Sequence, residues 1–574
     1  MTKPTLAIYG IKDRNVFDNP AYVHDHNLCL WQDGKIIKYM QLERFSRKKY
    51  DNRLDLFIED LIDNHVIDLP GEFDVVCVND FVGNAFVSKN GRLRFEFNYC
   101  DKLDFSLGKG RGYFQYDGWD GKPVEAFLCS HEVAHICSTL PFFGEFHNNS
   151  LLVSIDGGSS LGNYSAFLYK DGKYQLIENN WEDLGFASKL FNDNALSFMM
   201  LNADPGEHCS VPGKLMGFAS LGKYKPEIEK WLVDNGYFKN CWDKDAVLDS
   251  IRQNFGVDSS FSTRDKFMQN IASSIQRIFE NAILQKLQSL QEKYHCDYLY
   301  YGGGCALNIV TNTKIVESGM FKDVFIAPCC NDSGLSIGAG AFMEMVKGNK
   351  IQPHTPYLNN FGLQGSSPVV EPENRMDVIN VAKCVINGGV VGICNGWAEA
   401  GPRALGNRSL IARPDSKHLA EIVSVYIKKR EWYRPLAPIM LESCACKVAE
   451  HKPSAIAKYM LQDFSIKKEY RECLSGVTHV DGTARIQVVP DDGSDFITQL
   501  LKYLADGAGC PKTVCGGVDG ALSRNAGIKA LINTSFNIQG QPIVHTEAQA
   551  MEAMYSMGLD GLVLNGKFIK NDKK

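Results

Sequence analysis

No apolar run in the 574-residue chain reaches about 18 residues, so no membrane-spanning helix is expected. The amino terminus passes from Met1-Thr2-Lys3-Pro4 straight into the strand-like Leu6-Ala7-Ile8-Tyr9. It lacks the charged, apolar and cleavage segments of a secretory leader, and a cytoplasmic protein is expected. No Cys-x-x-Cys pair occurs, which removes the zinc-ribbon reading. The 18 cysteines, irregularly spaced and often inside apolar runs, read as reduced thiols rather than a disulfide framework. Neither charge is in excess: 61 basic against 67 acidic residues leave a net charge of −6, which announces no polyanionic or membrane partner for the chain as a whole.

Hydrophobic residues at 44% and charged residues at 22% supply ordinary soluble cores, enough for about three domains at this length. Residues 5–42 read as a strand, a long excursion, and a hairpin of Leu28-Cys29-Leu30-Trp31 and Ile36-Ile37-Lys38-Tyr39-Met40 turning at Asp33-Gly34-Lys35. Residues 151–178 repeat that order: a strand at 151–155, the loop Asp156-Gly157-Gly158, then strands at 166–169 and 174–177 around a second Asp-Gly-Lys turn. The repetition predicts a duplicated α/β half, with coincidence as the alternative because Asp-Gly hairpins are common.

Leu54, Phe57, Ile58, Leu61 and Ile62 mark one face of a helix over 54–67, and a strand follows at 75–78. Over 92–116, Arg92, Arg94, Lys109 and Arg111 interleave with Phe95, Phe97, Tyr99, Tyr113, Phe114 and Tyr116. This predicts an amphipathic β-hairpin, with a nucleic-acid groove as the second reading, since cations and rings can seat phosphates and stack bases. A long helix is predicted over 264–294 from apolar residues at three- and four-residue steps. A strand and glycine turn at 298–304, a strand at 324–328 and a small-residue helix around 337–341 come next. Between 348 and 374 the periodicity stops and Pro353, Pro356, Pro368 and Pro372 cluster, marking a domain boundary. Beyond it a helix is predicted at 377–386 and a buried strand at 389–394.

Two constellations carry chemistry. Ser130-His131-Glu132-Val133-Ala134-His135 sets two histidines one helical turn apart, able to hold one metal ion. As a bare pattern it is the metallopeptidase His-Glu-x-x-His with Glu132 as general base, or else two packed core histidines. The peptidase reading lacks a third ligand, since Ile136-Cys137-Ser138-Thr139-Leu140-Pro141 ends the helix and only Glu145 is acidic between His135 and Asp156. Farther on, Gly401-Pro402-Arg403-Ala404-Leu405-Gly406-Asn407-Arg408-Ser409 reads as a loop and 419–427 as a helix. Arg403, Arg408, Lys428, Arg430 and Arg434 could converge on phosphate, or else form a solvated charged face.

Longer blocks accompany these: Leu42-Glu43-Arg44-Phe45-Ser46-Arg47-Lys48-Lys49, Pro212-Gly213-Lys214-Leu215-Met216-Gly217, Gly303-Gly304-Cys305-Ala306-Leu307-Asn308 and Asn331-Asp332-Ser333-Gly334. Lys428-Lys429-Arg430-Glu431, Arg434-Pro435-Leu436-Ala437-Pro438, His479-Val480-Asp481-Gly482-Thr483-Ala484-Arg485 and Asn533-Thr534-Ser535-Phe536-Asn537 follow. With the Gly401 to Ser409 block, they make the chain resemble the NodU/CmcH (tobramycin-type) O-carbamoyltransferase family over nearly its full length.

The resemblance implies an α/β chain with a duplicated ASKHA (actin/sugar-kinase-like) domain over residues 1–350, a linker at 351–374 and a YrdC-like carbamoyl-adenylate-forming domain over 375–574. It implies an enzyme that turns carbamoyl phosphate and ATP into carbamoyl adenylate and passes the carbamoyl group to a hydroxyl. Arg403, Lys428, Arg434 and Arg485 would then offset phosphoryl charge, with Asp25 a further catalytic candidate. Asn407, Arg408, Asn533, Thr534, Ser535 and Asn537 would contact nucleotide or carbamoyl oxygens. Asp156, Gly157 and Gly158, with Gly303, Gly304 and Asn308, would form the phosphate loops of the two halves. His131, His135 and Asp332 would hold a metal, Fe(II) by family analogy, although the ligand set also suits Zn or Mn, and Mg is a further candidate.

The chain departs from the family in having His24-Asp25-His26-Asn27 for a His-Asp-Ser-Ser-like segment, Gln541 for a glutamate, and insertions near 12–22 and 510–527. The expected acceptor is a small molecule or sugar. A hydroxymethylated pyrimidine in DNA is the alternative that the 92–116 stretch leaves open and the overall acidity disfavours. A non-catalytic ATP-binding regulator is the other class, which the cationic cluster argues against. No membrane partner is expected, and a homodimer is left open.

Overall fold

The computed structural model describes residues 2–11, 23–79, 83–98, 103–115, 121–158, 160, 162–179, 195–236, 242–363, 365–506 and 530–574. The insertions near 12–22 and 510–527, and Tyr99 and Tyr116 of the basic-aromatic stretch, lie outside those residues.

Two successive sheets share one topology. In the first, β1 (Thr5–Tyr9), β2 (Asn27–Gln32) and β3 (Lys35–Gln41) form an antiparallel meander. Helices α1 (Leu42–Ser46) and α2 (Leu54–Asp63) follow, and β4 (Asp74–Val78) returns parallel to β1. After β5 (Ala85–Val87), β6 (Leu93–Phe97) and β7 (Gly108–Phe114), β8 (Lys122–Cys129) lies parallel to β4, so the order runs β3-β2-β1-β4-β8. The second sheet is built from β9 (Ser150–Ile155), β10 (Tyr164–Lys170), β11 (Lys173–Asn179), β12 (Tyr298–Gly302) and β13 (Asp323–Phe325). Its order is β11-β10-β9-β12-β13, with the same sequence of antiparallel and parallel pairs.

Both hairpins turn in the same way. Asp33 and Gly34 have φ of 49° and 76°, and Asp171 and Gly172 have 51° and 73°. Two positive φ angles are what a two-residue turn between right-twisted strands requires. The repeated Asp-Gly-Lys therefore marks a true duplication, the ASKHA-type arrangement expected of the chain. Behind the sheets, the helix Lys266–Tyr294 is capped by Asp265, whose carboxylate accepts the Phe267 and Met268 N–H groups. The small-residue helix Leu335–Val346 packs so closely that a Cβ on Gly338 would lie 1.8 Å from the Ala134 carbonyl oxygen.

Beyond residue 350 the chain first adds to the existing sheet. β14 (Tyr357–Asn359) lies beside β3, inside the segment expected as a linker. A seven-stranded sheet with its own core, including Val381, Ile393, Leu410, Ile439 and Ile532, follows. Its members are β15 (Val391–Cys394), β17 (Arg408–Ala412), β18 (Ala437–Leu441), β21 (Gln487–Val489), β22 (Leu531–Ser535), β23 (Gly561–Leu564) and β24 (Lys567–Lys570), in the order β21-β18-β22-β17-β15-β23-β24. β16 (Ala398–Glu399) pairs instead with β14, and β19 (Phe464–Ser465) with β20 (Thr483–Ala484). The Gly401 to Ser409 block is not loop to its end. Arg408 and Ser409 open β17, because they fall between β15 and β22, where backbone groups are buried and must be paired.

The basic-aromatic stretch forms the predicted hairpin, with Leu93, Phe95 and Phe97 inward and Arg94 and Glu96 outward. Two of its cations are ion-paired in place. Arg92 donates to Asp63 at 2.7 Å, Arg94 to Glu96 at 2.7 Å, and Arg111 stands opposite Glu96 on one side and Glu125 on the other. Among the described residues, no helix is long and apolar enough to cross a membrane.

Candidate active site

α3 (His131–Cys137) begins where β8 ends, with Ser130 as N-cap accepting the Val133 N–H. One helical turn separates His131 from His135, and their Nε2 atoms lie 3.0 Å apart. Each is 3.6 Å from Asp332 Oδ1, and His135 Nε2 is 3.4 Å from Asp156 Oδ2. The four donor atoms lie within 4.8 Å of one another, and all four residues are buried.

Neighbouring elements fix the two carboxylates. Tyr9, at the end of β1, donates its hydroxyl to Asp332 Oδ2 at 2.9 Å, so Oδ1 turns to the histidines. Asp156 directly follows β9 and accepts the Gly304 N–H. That contact needs the turn after β12 to close over β9. Gly303 allows it with φ of 95°, where a Cβ would meet the Ile155 carbonyl oxygen at 2.1 Å. Burial pushes Asp332 up, but His24, His131 and His135 more than reverse this and hold it well below the carboxylate range. Two imidazoles and two buried carboxylates are a donor set that fits Fe(II), Zn or Mn. Asp156 had been expected only in a phosphate loop. Glu132 is turned elsewhere: its Oε2 accepts the Ser160 hydroxyl at 2.8 Å, and that hydroxyl oxygen accepts the His131 N–H.

A cavity of about 280 Å³ opens beside this cluster, lined by Asp156, Asp332, Gly304 and Asn308 and by His24 and Asp25. His24 Nδ1 lies 3.0 Å from Asp25 Oδ2, which orients the imidazole at the cavity wall. His24 was not among the expected site residues. Its signal in the sequence is the adjacent His24-Asp25 pair in the departing segment.

A second cavity, of about 370 Å³, is lined by Arg403, Arg430, Arg434 and Arg485 with Asn533, Thr534 and Ser535. Arg403, Arg430, Arg434 and Ser535 line both cavities. Burial, then the Arg434 charge, lowers Arg403 to about 10 and Arg430 to about 9. Among the described residues, the buried Nε atoms of Arg403 and Arg485 have no hydrogen-bond partner. Four guanidiniums crowded into one wall repel one another, and a polyanion is the ligand that offsets such a charge.

Several expected site residues face elsewhere. Arg408 is fully buried on β17 and spends its guanidinium on the carbonyls of Asn395, Gly396, Asn407 and His545, at 2.6–3.0 Å. Asn407 donates to the Pro368 and Trp397 carbonyls. Lys428 Nζ donates to Ser535 and Asn537, so it shapes the end of β22 rather than facing a ligand. These three residues, with Gly157, Gly158 and Gly303, line neither cavity. Asn537 lines the first cavity, and Arg430, absent from the expected set of catalytic arginines, donates to Thr534 Oγ1 and Ser535 Oγ at 3.2 Å.

Asp463, buried in the second cavity wall, accepts the Thr313 hydroxyl, and burial raises its carboxyl to about 6. A carboxyl with a raised folded-state pKa contributes stability that is fully present below its unfolded value and lost as pH rises through about 6. An asparagine side chain at this position would still accept from Thr313 but cannot ionise. Asp463→Asn is therefore expected to gain up to about 2 kcal/mol relative to the parent between pH 4 and 7. Urea melts of the ligand-free chain at both pH values check this, and a difference that does not change with pH refutes it.

The comparisons with known proteins cover this same region. A model described as Carbamoyltransferase N-terminus matches residues 118–341, and one described as Carbamoyltransferase C-terminus matches 382–516 and 520–571. Nodulation protein U of Azorhizobium caulinodans is 32% identical over 505 residues, spanning 83% of this chain and 88% of that protein. The 3'-hydroxymethylcephem-O-carbamoyltransferase of Amycolatopsis lactamdurans is 27% identical over 472 residues, 77% of this chain and 80% of that one. Among solved structures, full-length HypF in its phosphate- and nucleotide-bound form matches 61% of this chain and 56% of that chain, at 11% identity and a TM-score of 0.31.

Proposed function

The chain belongs to the carbamoyltransferase family, and from that premise we propose that it is an ATP-dependent O-carbamoyltransferase acting through carbamoyl adenylate. Water would release phosphate from carbamoyl phosphate, and the carbamate oxygen so freed would attack the α-phosphorus of ATP, giving carbamoyl adenylate and expelling pyrophosphate. Attack by an acceptor hydroxyl on the carbamoyl carbon would then expel AMP. The observation that carries this reading is the wall of Arg403, Arg430 and Arg434 common to both cavities. An anhydride made against it in one cavity meets the His24-Asp25 pair in the other without entering bulk water, where so reactive an acyl group would hydrolyse.

In the arginine-lined cavity, Arg403, Arg430, Arg434 and Arg485 bind phosphoryl oxygens and offset the charge that develops as pyrophosphate leaves. Asn533 Oδ1, buried there without a partner among the described residues, is an acceptor suited to the carbamoyl NH₂. In the other cavity the His24-Asp25 pair lies where it can hydrogen-bond an acceptor hydroxyl, and the Asp25 carboxylate, steadied by His24, is the group that would take its proton. His131, His135, Asp156 and Asp332 would hold a divalent ion there, Fe(II), Zn or Mn. Bound, such an ion would neutralise charge on nucleotide phosphate oxygens.

The proposed acceptor is a small molecule or sugar. Arg92 and Arg94 of the 92–116 hairpin are spent on Asp63 and Glu96, which favours this over a DNA base. Incubation with carbamoyl phosphate, ATP and candidate hydroxyl acceptors is expected to release pyrophosphate and to add about 43 Da to the acceptor, carbamoyl replacing hydrogen. Inorganic phosphate without pyrophosphate would sink the adenylate route, and a product on hydroxymethylated DNA but on no sugar would overturn the acceptor.

A further inference from the structure

An ion pair reaching out from the ASKHA-type half bears on the shared arginine wall. Lys214, on the helix Val211–Ala219, has a side chain only 7% exposed, and its Nζ lies 3.0 Å from Glu431 Oε1 and 2.6 Å from Glu207 Oε1. Glu431 also receives the Gln539 amide at 3.1 Å on the same oxygen. Its other oxygen, Oε2, faces Arg434 Nη1 at 3.7 Å. Among the described residues, Glu431 is the only carboxylate within ion-pairing distance of Arg434. Arg434 stands beside Arg403 and Arg430 on the wall common to both cavities.

This geometry is a competition. A carboxylate three residues from an arginine can close on it as a bidentate pair, and a guanidinium so engaged is withdrawn from phosphate. Here the pair stays long, because Lys214 and Gln539 draw the Glu431 carboxylate the other way. A charge on one domain thus governs the freedom of an arginine on the other.

We infer that Lys214 is a positioning residue that keeps Glu431 from capturing Arg434, so that the guanidinium remains available to phosphoryl oxygens only while the two domains are packed together. The inference rests on the reading above, that the arginine wall receives the phosphates of ATP.

The test uses the full chain in four forms: the parent, Lys214→Met, Glu431→Gln and the double variant. ATP binding by titration calorimetry and carbamoyl-phosphate-dependent pyrophosphate release are both measured. Lys214→Met keeps the length and apolar stem of lysine but frees Glu431. It is expected to weaken ATP binding about tenfold and to raise KM for ATP more than it lowers kcat. Adding Glu431→Gln removes the competing carboxylate and is expected to restore most of that loss.

A lysine that merely buttresses the fold predicts otherwise: a lower melting temperature, unchanged ATP affinity in the folded fraction, and a double variant worse than either single one. Unchanged affinity in Lys214→Met, or a double variant that binds more weakly than Lys214→Met, overturns the inference. A parent chain that binds ATP but releases no pyrophosphate with carbamoyl phosphate would overturn the proposed reaction instead. The binding series would then still decide the role of Lys214.

Discussion

Replacing Arg403 with alanine is expected to cut carbamoyl-phosphate-dependent pyrophosphate release by about 10²- to 10³-fold, the usual loss when one preorganised donor to a developing anion is removed. Metal content should not change, since Arg403 is not one of the four clustered donors. Loss of metal together with adenylation would mean that the two cavities have been assigned the wrong roles. The shared wall adds a finer expectation. Arg485 lines only the larger cavity, whereas Arg403 lines both. In Arg485→Ala the residual turnover should therefore keep the parent's ratio of acceptor carbamoylated to pyrophosphate released. In Arg403→Ala that ratio should fall, because adenylate that does form is held less well on the acceptor side and is lost to water. Quantifying both products from one reaction gives the ratio directly, and equal ratios in the two variants would remove the case for a common wall.

The parts of this architecture that were legible in the sequence are those set by local geometry. The Asp-Gly turns at 33–34 and 171–172 announce themselves because only residues tolerant of positive φ fit them, and the five strands that begin with each unit share one order, β3-β2-β1-β4-β8 and β11-β10-β9-β12-β13. His131 and His135 are four apart on one helix, so their convergence follows from helical pitch alone.

What escaped depended on non-local placement. Asp156 looked like a phosphate-loop residue, and it meets His135 only because β12 pairs with β9 in a register that sets Gly302 opposite Ser154 and brings Gly304 onto the carboxylate. Arg408 and Arg403 have the same charge and lie five residues apart, yet one is buried among carbonyls and the other borders both cavities. Composition cannot separate them, since a one-residue shift in a strand sends a side chain to the opposite face. Lys428 and Arg430 differ in the same way: the lysine ties down the end of β22, and the arginine two residues later reaches the ligand wall.

The histidine helix also separates two chemistries by experiment. His131→Ala is expected to deplete metal and to abolish transfer. Changing a residue behind a metal ligand typically lowers affinity 10- to 100-fold, so deleting one of four buried donors should cost at least about 100-fold. Elemental analysis of the purified variant measures this without reference to activity, and unchanged metal content would remove the ligand assignment.

Glu132→Gln is the informative partner. In a His-Glu-x-x-His peptidase the glutamate is the general base, and its amide would abolish turnover while the metal stays bound. Here Glu132 Oε2 accepts a hydrogen bond from Ser160, whose oxygen in turn accepts the His131 N–H. A glutamine carbonyl can accept the same bond, so the helix start and the imidazole above it should hold their places. Glu132→Gln is therefore expected to retain metal and to keep transfer within a few-fold of the parent, since it loses a charge-assisted bond but no group at the cavity. Loss of turnover with full metal occupancy would return general-base chemistry to Glu132. Joint loss of metal and turnover would show that the Ser160 contact, rather than helical pitch alone, aims His131 at the cluster.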